Sequence, residues 1–63
     1  MTKQELVDSL LDDGVAHDII DSYTTHIESY GLMSEVLEWT KRFVNQGSNI
    51  VAAFCMAMDE WDL

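Results

Sequence analysis

The 63-residue sequence has no proline, one cysteine and two histidines. Because Cys55 is the only thiol, an intrachain disulfide is excluded, and a lone thiol is typical of a reducing cytoplasm. A structural zinc site needs about four Cys or His ligands, and Cys55, His17 and His26 are too few and too far apart. We therefore expect no metal and no cofactor, and stability from helix packing or from a second subunit.

Basic residues are also scarce, with three Lys and Arg against twelve Asp and Glu and a net charge of −9. This charge repels nucleic acid and anionic membranes and attracts basic proteins. No apolar run reaches the roughly 18 residues of a membrane span, and the segment 1–5 lacks the charged-then-apolar order of a signal peptide. The sequence predicts a cytoplasmic protein, or one in the host cytoplasm if it is viral.

The residues that are present favour a folded helical domain. The chain is 48% hydrophobic, which is too apolar for a disordered acidic tail. Gly14, Gly31 and Gly47 each follow a segment of helical periodicity, where glycine commonly ends a helix. We predict one all-α domain over residues 1–63, a compact bundle of four short helices at about 3–13, 15–30, 34–46 and 49–60.

The first three predicted helices are amphipathic. Helix 1 begins with a capping box, in which Thr2 and Glu5 can each bind a free backbone N–H. The apolar stripe of helix 2 is expected to face the core, and consists of Ala16, Ile19, Ile20, Tyr23, Ile27 and Tyr30.

Helix 4 is different, because the run from Ile50 to Met58 is apolar on every side. Such a helix is expected to be largely buried, with Cys55 as a buried structural thiol. Since so short a chain has little material to cover it, an alternative is that part of helix 4 contacts a second subunit. The candidate dimer interface consists of Val51, Phe54, Met56 and Met58.

Acidic residues repeat along helices 1 and 2 at spacings that place each set on one helix face. Two interpretations remain open, a solvated outer face and a docking surface for a basic protein. Duplex DNA carries about one charge per 1.7 Å, and one acidic row carries about one per 5 Å. Two rows side by side would come nearer, so DNA mimicry is an open hypothesis. The two rows are Glu5, Asp8 and Asp12, and Asp18, Asp21 and Glu28.

The C-terminal sequence places Asp59, Glu60 and Asp62 around Trp61. Acids at the end of a helix oppose its macrodipole by about 0.3–1 kcal/mol each, so this tip is not optimised for helix stability. Either Trp61 folds back onto the core, or Trp61 and Leu63 form an apolar anchor within an acidic rim. We include Asp59, Glu60 and Trp61 among the candidate partner-binding residues.

No arrangement of residues indicates catalysis, since nucleophile–base pairs, phosphate-binding glycine loops and paired carboxylates are all missing from the pattern. We predict a non-enzymatic protein-binding module, an inhibitor or modulator that docks on a basic, nucleic-acid-handling protein. In size, charge and lack of catalytic motifs the chain resembles the small acidic proteins that bacteriophages encode to inhibit host enzymes or defence systems. The alternative is a homodimeric structural protein that associates through helix 4 and uses its acids for solubility.

Overall fold

Four α-helices and their connecting turns account for the chain, which a computed structural model describes from residue 1 to residue 63. The helices are α1 (Lys3–Asp12), α2 (His17–Ser29), α3 (Met33–Asn45) and α4 (Ile50–Asp59). This confirms the predicted all-α bundle, with each boundary within two residues of its expected place. None of the four helices has both the length and the apolar character needed to cross a membrane.

Polar side chains cap the N-termini of the first and last helices. At α1 the predicted capping box is present: the Thr2 hydroxyl accepts from the Glu5 N–H at 3.1 Å, and Glu5 Oε1 accepts from the Thr2 N–H at 2.9 Å. At α4 the Asn49 side chain accepts from the Ala52 N–H at 2.9 Å. Each of these bonds satisfies a backbone donor that the helix itself leaves free.

The helix ends share one hydrogen-bonding pattern, the Schellman motif, which requires a left-handed residue just past the helix. The three glycines have φ values from 68° to 107° and occupy that position after α1, α2 and α3, as expected. After α4 the position is taken by Asp62, with φ 54°. There the Leu63 N–H donates to the Met58 carbonyl at 3.1 Å and the Asp62 N–H to the Asp59 carbonyl at 3.2 Å.

Asp62 therefore carries two local costs, and we expect Asp62→Gly to stabilise the protein. The left-handed conformation disfavours most L-residues by about 1–2 kcal/mol, less for aspartate, and the Asp62 carboxylate lies at the negative end of α4. Urea denaturation should show a gain of about 1 kcal/mol. Asp62→Asn is the control, because it removes the charge and keeps the backbone penalty, so it should give a smaller gain. A Gly variant no more stable than the wild-type protein would contradict this reading of the turn.

The core draws apolar side chains from all four helices. Two threonines also lie inside it, and their hydroxyls donate to carbonyls of their own helices: Thr24 to Asp21 at 3.2 Å and Thr40 to Val36 at 2.7 Å. No buried side-chain polar atom lacks a partner. The buried hydrophobic residues are Leu6, Leu10, Ile20, Ile27, Val36, Ala53, Phe54, Ala57 and Met58.

The last helix has the largest buried share, as predicted from its uniform apolarity. Four of the ten residues of α4 are buried, and it packs most extensively against α3. The prediction for Cys55 was wrong, because its side chain is exposed. Only α1 and α3 approach α4 closely, and Cys55 lies on the side of α4 that these two helices leave uncovered.

The apolar stripe of α2 is also only partly covered. Ile20 and Ile27 are in the core, but Ile19 is 48% exposed, Tyr23 47% and Tyr30 63%. The expectation that the whole stripe faces the core was therefore wrong. For Ile19 and Tyr23 the reason is a separation between helices, since no Cα atom of α2 lies within 8 Å of a Cα atom of α4.

Candidate protein-docking surface

All six acids of the two predicted rows are exposed to solvent. On α1, Glu5 is held by the capping box and Asp8 accepts a hydrogen bond from the Gln4 amide at 2.9 Å. Only Asp12 has no side-chain partner. Two of the three acids in the α1 row are therefore already engaged within the chain.

The capping box also sets the titration of Glu5. The backbone N–H and the hydroxyl of Thr2 hold the pKa of the Glu5 carboxyl below its ordinary value, because both bonds favour the ionised form. A carboxyl with a lowered pKa stabilises the fold above its unfolded-state pKa. That contribution is lost as the pH falls through the lowered value. The contacts that the structure shows for Glu5 are therefore those of helix capping.

The acids of the α2 row have intramolecular partners too. Asp21 lies 3.2 Å from His17 Nδ1, and Glu28 lies 3.0 Å from the Lys3 ammonium group. Asp18 accepts from the Ile19 N–H at 3.0 Å. All these contacts are exposed, so each contributes about 0–1 kcal/mol and a strong external cation could displace it.

The Lys3–Glu28 pair shows how the two acidic rows are related. It joins the start of α1 to the end of α2, so these helices lie side by side and run antiparallel. At 3.6 residues per turn, the acidic row of α1 lies about 140–180° around the helix from Lys3. The α1 row therefore faces away from α2, and the two rows do not merge into one flat strip.

A different set of acids is free of side-chain partners. Two of them, Asp12 and Asp13, are the last residue and the C-cap of α1. Three more lie at the C-terminal tip, where nothing basic opposes them in the last turn of α4. The complete set without an ion pair or side-chain hydrogen bond is Asp12, Asp13, Glu35, Asp59, Glu60 and Asp62.

The three cations lie elsewhere. Lys3 is paired with α2, as described above. Arg42 lies 3.5 Å from Glu38 and 5.0 Å from the ring centre of Trp39, a cation–π arrangement. Lys41, also on α3, is close enough to Glu5 to help lower the pKa of that carboxyl. The basic residues are thus confined to α3 and the first turn of α1.

Trp61 adopts the first of its two predicted arrangements and folds back onto the core. Its ring lies 6.5 Å from that of Trp39 at 75°, an edge-on contact that is favourable for aromatic pairs. The neighbouring Asp59 and Glu60 remain exposed. At the C-terminal tip, exposed acidic side chains therefore lie next to a packed pair of tryptophan rings.

The candidate dimer interface is divided by the fold. Phe54 and Met58 are each 5% exposed and belong to the core of the chain itself. Val51 is partly buried and Met56 is 36% exposed. Two of the four residues are therefore buried in the core of the chain itself, and they have little exposed surface that a second subunit could contact.

The separation of α2 from α4 leaves an apolar groove between them, which we call the α2–α4 groove. Its first hollow has a volume of about 230 Å³ and is lined entirely by hydrophobic residues. The floor is formed by the buried side chains of Leu10, Ile20 and Phe54. The walls are Ile19 and Tyr23 on α2, and Val51 and Cys55 on α4.

A second hollow of about 200 Å³ continues the groove, sharing Tyr23, Phe54 and Cys55 with the first. It extends to Asp59 and Leu63. Along α4 the lining moves from Val51 in the first hollow to Met58 and Asp59 in the second, whereas α2 contributes only Tyr23 to the second hollow. The Tyr23 and Phe54 rings meet edge-on at 6.3 Å where the hollows join.

The sequence pattern did not reveal this groove. Two features of the sequence indicate it in retrospect. The apolar stripe of α2 is too wide to be covered by one neighbouring helix, and α4 is apolar on all sides. Comparison of the chain with protein-family models, curated proteins and solved structures found no match. No three His, Cys, Asp or Glu side chains are grouped so that they could hold a metal ion.

Proposed function

We propose that this chain is a non-enzymatic protein-binding module that docks its acidic surface on a basic, nucleic-acid-handling protein of the cytoplasm and inhibits or modulates it. The observation that supports this most is the distribution of unpaired charge. Six acids have no side-chain partner within the chain, and five of them lie at the C-terminal end of α1 or at the C-terminal tip. A surface that is acidic for solubility alone has no need to concentrate its unpaired charges.

The C-terminal tip carries this argument furthest. Asp59, Glu60 and Asp62 crowd the negative end of α4, and no basic residue lies in its last turn. Their mutual repulsion and the helix macrodipole both destabilise the free protein. A bound Lys or Arg side chain would relieve both effects at once, so the arrangement is costly alone and favourable in a complex.

The negative charge of this chain is enough for it to compete with nucleic acid for a basic surface. The chain does not need to reproduce the charge spacing of duplex DNA. Because the α1 row faces away from α2, the spacing of charges on either face stays near one per 5 Å, well below that of duplex DNA. We therefore propose DNA mimicry in the limited sense that both ligands neutralise the same basic surface.

The alternative, a homodimeric assembly protein, keeps one supporting observation, the exposure of Met56 and of the α4 wall of the groove. Light scattering separates the two functions. A dimer that persists from about 50 to 500 mM salt supports an apolar interface, because apolar contacts are not screened as charges are.

Capture from an extract of the source cells tests the proposed function. The tagged chain should retain a basic protein at about 50 mM salt and release it at about 500 mM salt or on addition of duplex oligonucleotide. The comparison bait carries Asp12→Asn and Asp59→Asn, and the control bait carries Glu35→Gln and Glu38→Gln, which removes the same charge from α3. Retention that survives high salt, or that is equal for the two baits, contradicts the proposal.

A further inference from the structure

We infer that the α2–α4 groove is the docking site for a cationic amphipathic helix of the partner protein. This inference rests on the proposed function and deepens it, because it assigns the apolar part of the interface and the form of the segment that occupies it. It depends on three properties of the groove: its unfilled apolar walls, the sign of the charge at its two ends, and its length.

The walls are apolar side chains that the fold leaves open. Ile19 is 48% exposed and Tyr23 47% exposed, and Cys55 faces them from α4. Beneath them the floor residues are almost completely buried, so a ligand would contact a firm surface. Tyrosine in such a position is a common anchor of binding energy, because its ring is large and has few torsions to immobilise.

Charge decides the kind of occupant. At one end, Asp13 lies in the turn that joins the lining residues Leu10 and Val15. At the other end, Asp59 lines the groove and Asp62 adjoins its last residue, Leu63. No Lys or Arg lines either hollow. A second copy of this chain would bring another −9 charge against these ends, whereas a cationic segment is attracted at both.

Length sets the form of the segment. From Val51 to Met58 the groove follows two turns of α4, about 10 Å. A helix that places apolar residues at i, i+4 and i+7 presents a stripe of the same length on one face. Basic residues just outside that stripe would then lie opposite the acids at the two ends.

The test uses a synthetic peptide of about 14 residues with leucines at i, i+4 and i+7 and two arginines at each end. A second peptide of identical composition has its leucines moved around the helix, so that charge is kept and the stripe is lost. By fluorescence titration of the full chain, the amphipathic peptide should bind at least about tenfold more tightly than the rearranged one. Equal affinities would overturn the inference, because they would show attraction by charge alone.

Tyr23 on α2 and Tyr30, the C-cap residue of that helix, provide a matched pair of variants. Tyr23→Ala removes a wall of the groove, and Tyr30→Ala removes a more exposed tyrosine that lines neither hollow. We expect Tyr23→Ala to weaken amphipathic-peptide binding at least about fivefold and Tyr30→Ala to change it less than about twofold. Equal effects of the two substitutions would contradict the inference.

The native thiol gives a readout that needs no substitution. Because Cys55 is the only cysteine and lies in the groove wall, saturating peptide should slow its alkylation by iodoacetamide at least about fivefold, and prior alkylation with a bulky maleimide should block peptide binding. Unchanged alkylation with peptide bound would overturn the inference. So would a dimer by light scattering that protects Cys55 without peptide, because the occupant would then be a second copy.

The capture experiment described above does not depend on the groove. If a Tyr23→Ala bait still retains the basic partner as well as wild type, the groove inference fails and the proposed function stands. If the wild-type chain retains no salt-sensitive basic partner, the proposed function itself fails.

Discussion

Replacing Met58 by alanine should remove most of the protein's stability, whereas replacing Met56 by alanine should leave its stability almost unchanged. The two methionines are two residues apart on α4, yet Met58 is 5% exposed and Met56 is 36% exposed. Truncating a buried methionine costs about 2–5 kcal/mol, and a domain of this size has only about 3–5 kcal/mol of stability. The exposed methionine should cost about 0.5 kcal/mol or less.

Circular dichroism in a urea titration measures both values. The comparison also separates the two functional hypotheses for α4. If Met58 served a dimer contact and not the core, Met58→Ala would dissociate a dimer and leave a folded monomer. A Met58→Ala monomer that loses less than about 1 kcal/mol of stability would therefore contradict the packing described for α4.

The helices were predictable because their ends are encoded locally. Three glycines in the left-handed region mark three of the four helix ends, and the Thr2 capping box marks the start of α1. The end of α4 was harder to place, because Asp62 takes the role of glycine there and is recognisable only from its φ of 54°. Hydrogen bonds from Asp62 and Leu63 back into α4 are invisible in the sequence.

The burial of individual side chains was less predictable, because it depends on how far apart the helices lie. Periodicity places Ile19, Tyr23 and Ile27 on one face of α2, but only Ile27 reaches the core. Likewise, uniform apolarity predicts a buried α4 and cannot tell which side of it is left open. Cys55 is exposed because nothing covers that side, a property of the packing and not of its neighbours in sequence.

For the candidate site, periodicity identified acids on the helix surfaces and could not show which of them are engaged within the chain. Glu28 is paired with a lysine 25 positions earlier, a contact that only the antiparallel packing of α1 and α2 creates. Asp12 and Asp59 were predicted as partner-binding residues for the spacing and charge of their segments. Both are unpaired within the chain, and Asp59 also lines the groove.

Removing those two charges should weaken binding of the captured basic partner by roughly two- to thirtyfold, since each exposed charge contact is worth about 0.2–1 kcal/mol. Asp12→Asn and Asp59→Asn alter no intramolecular ion pair, so the fold should be unaffected. The same charge change on α3, through Glu35→Gln and Glu38→Gln, should alter affinity less than about twofold. The association rate should carry much of the difference, because long-range attraction speeds encounter.

The salt dependence of that affinity tests the central claim most directly. Between about 50 and 500 mM salt the screening length falls from about 14 to about 4 Å. We expect the wild-type Kd for the captured partner to rise at least about tenfold over this range, and the Kd of the Asp12→Asn, Asp59→Asn variant to rise distinctly less. A wild-type Kd that does not change with salt, or equal slopes for the two proteins, would show that these acids do not hold a basic partner.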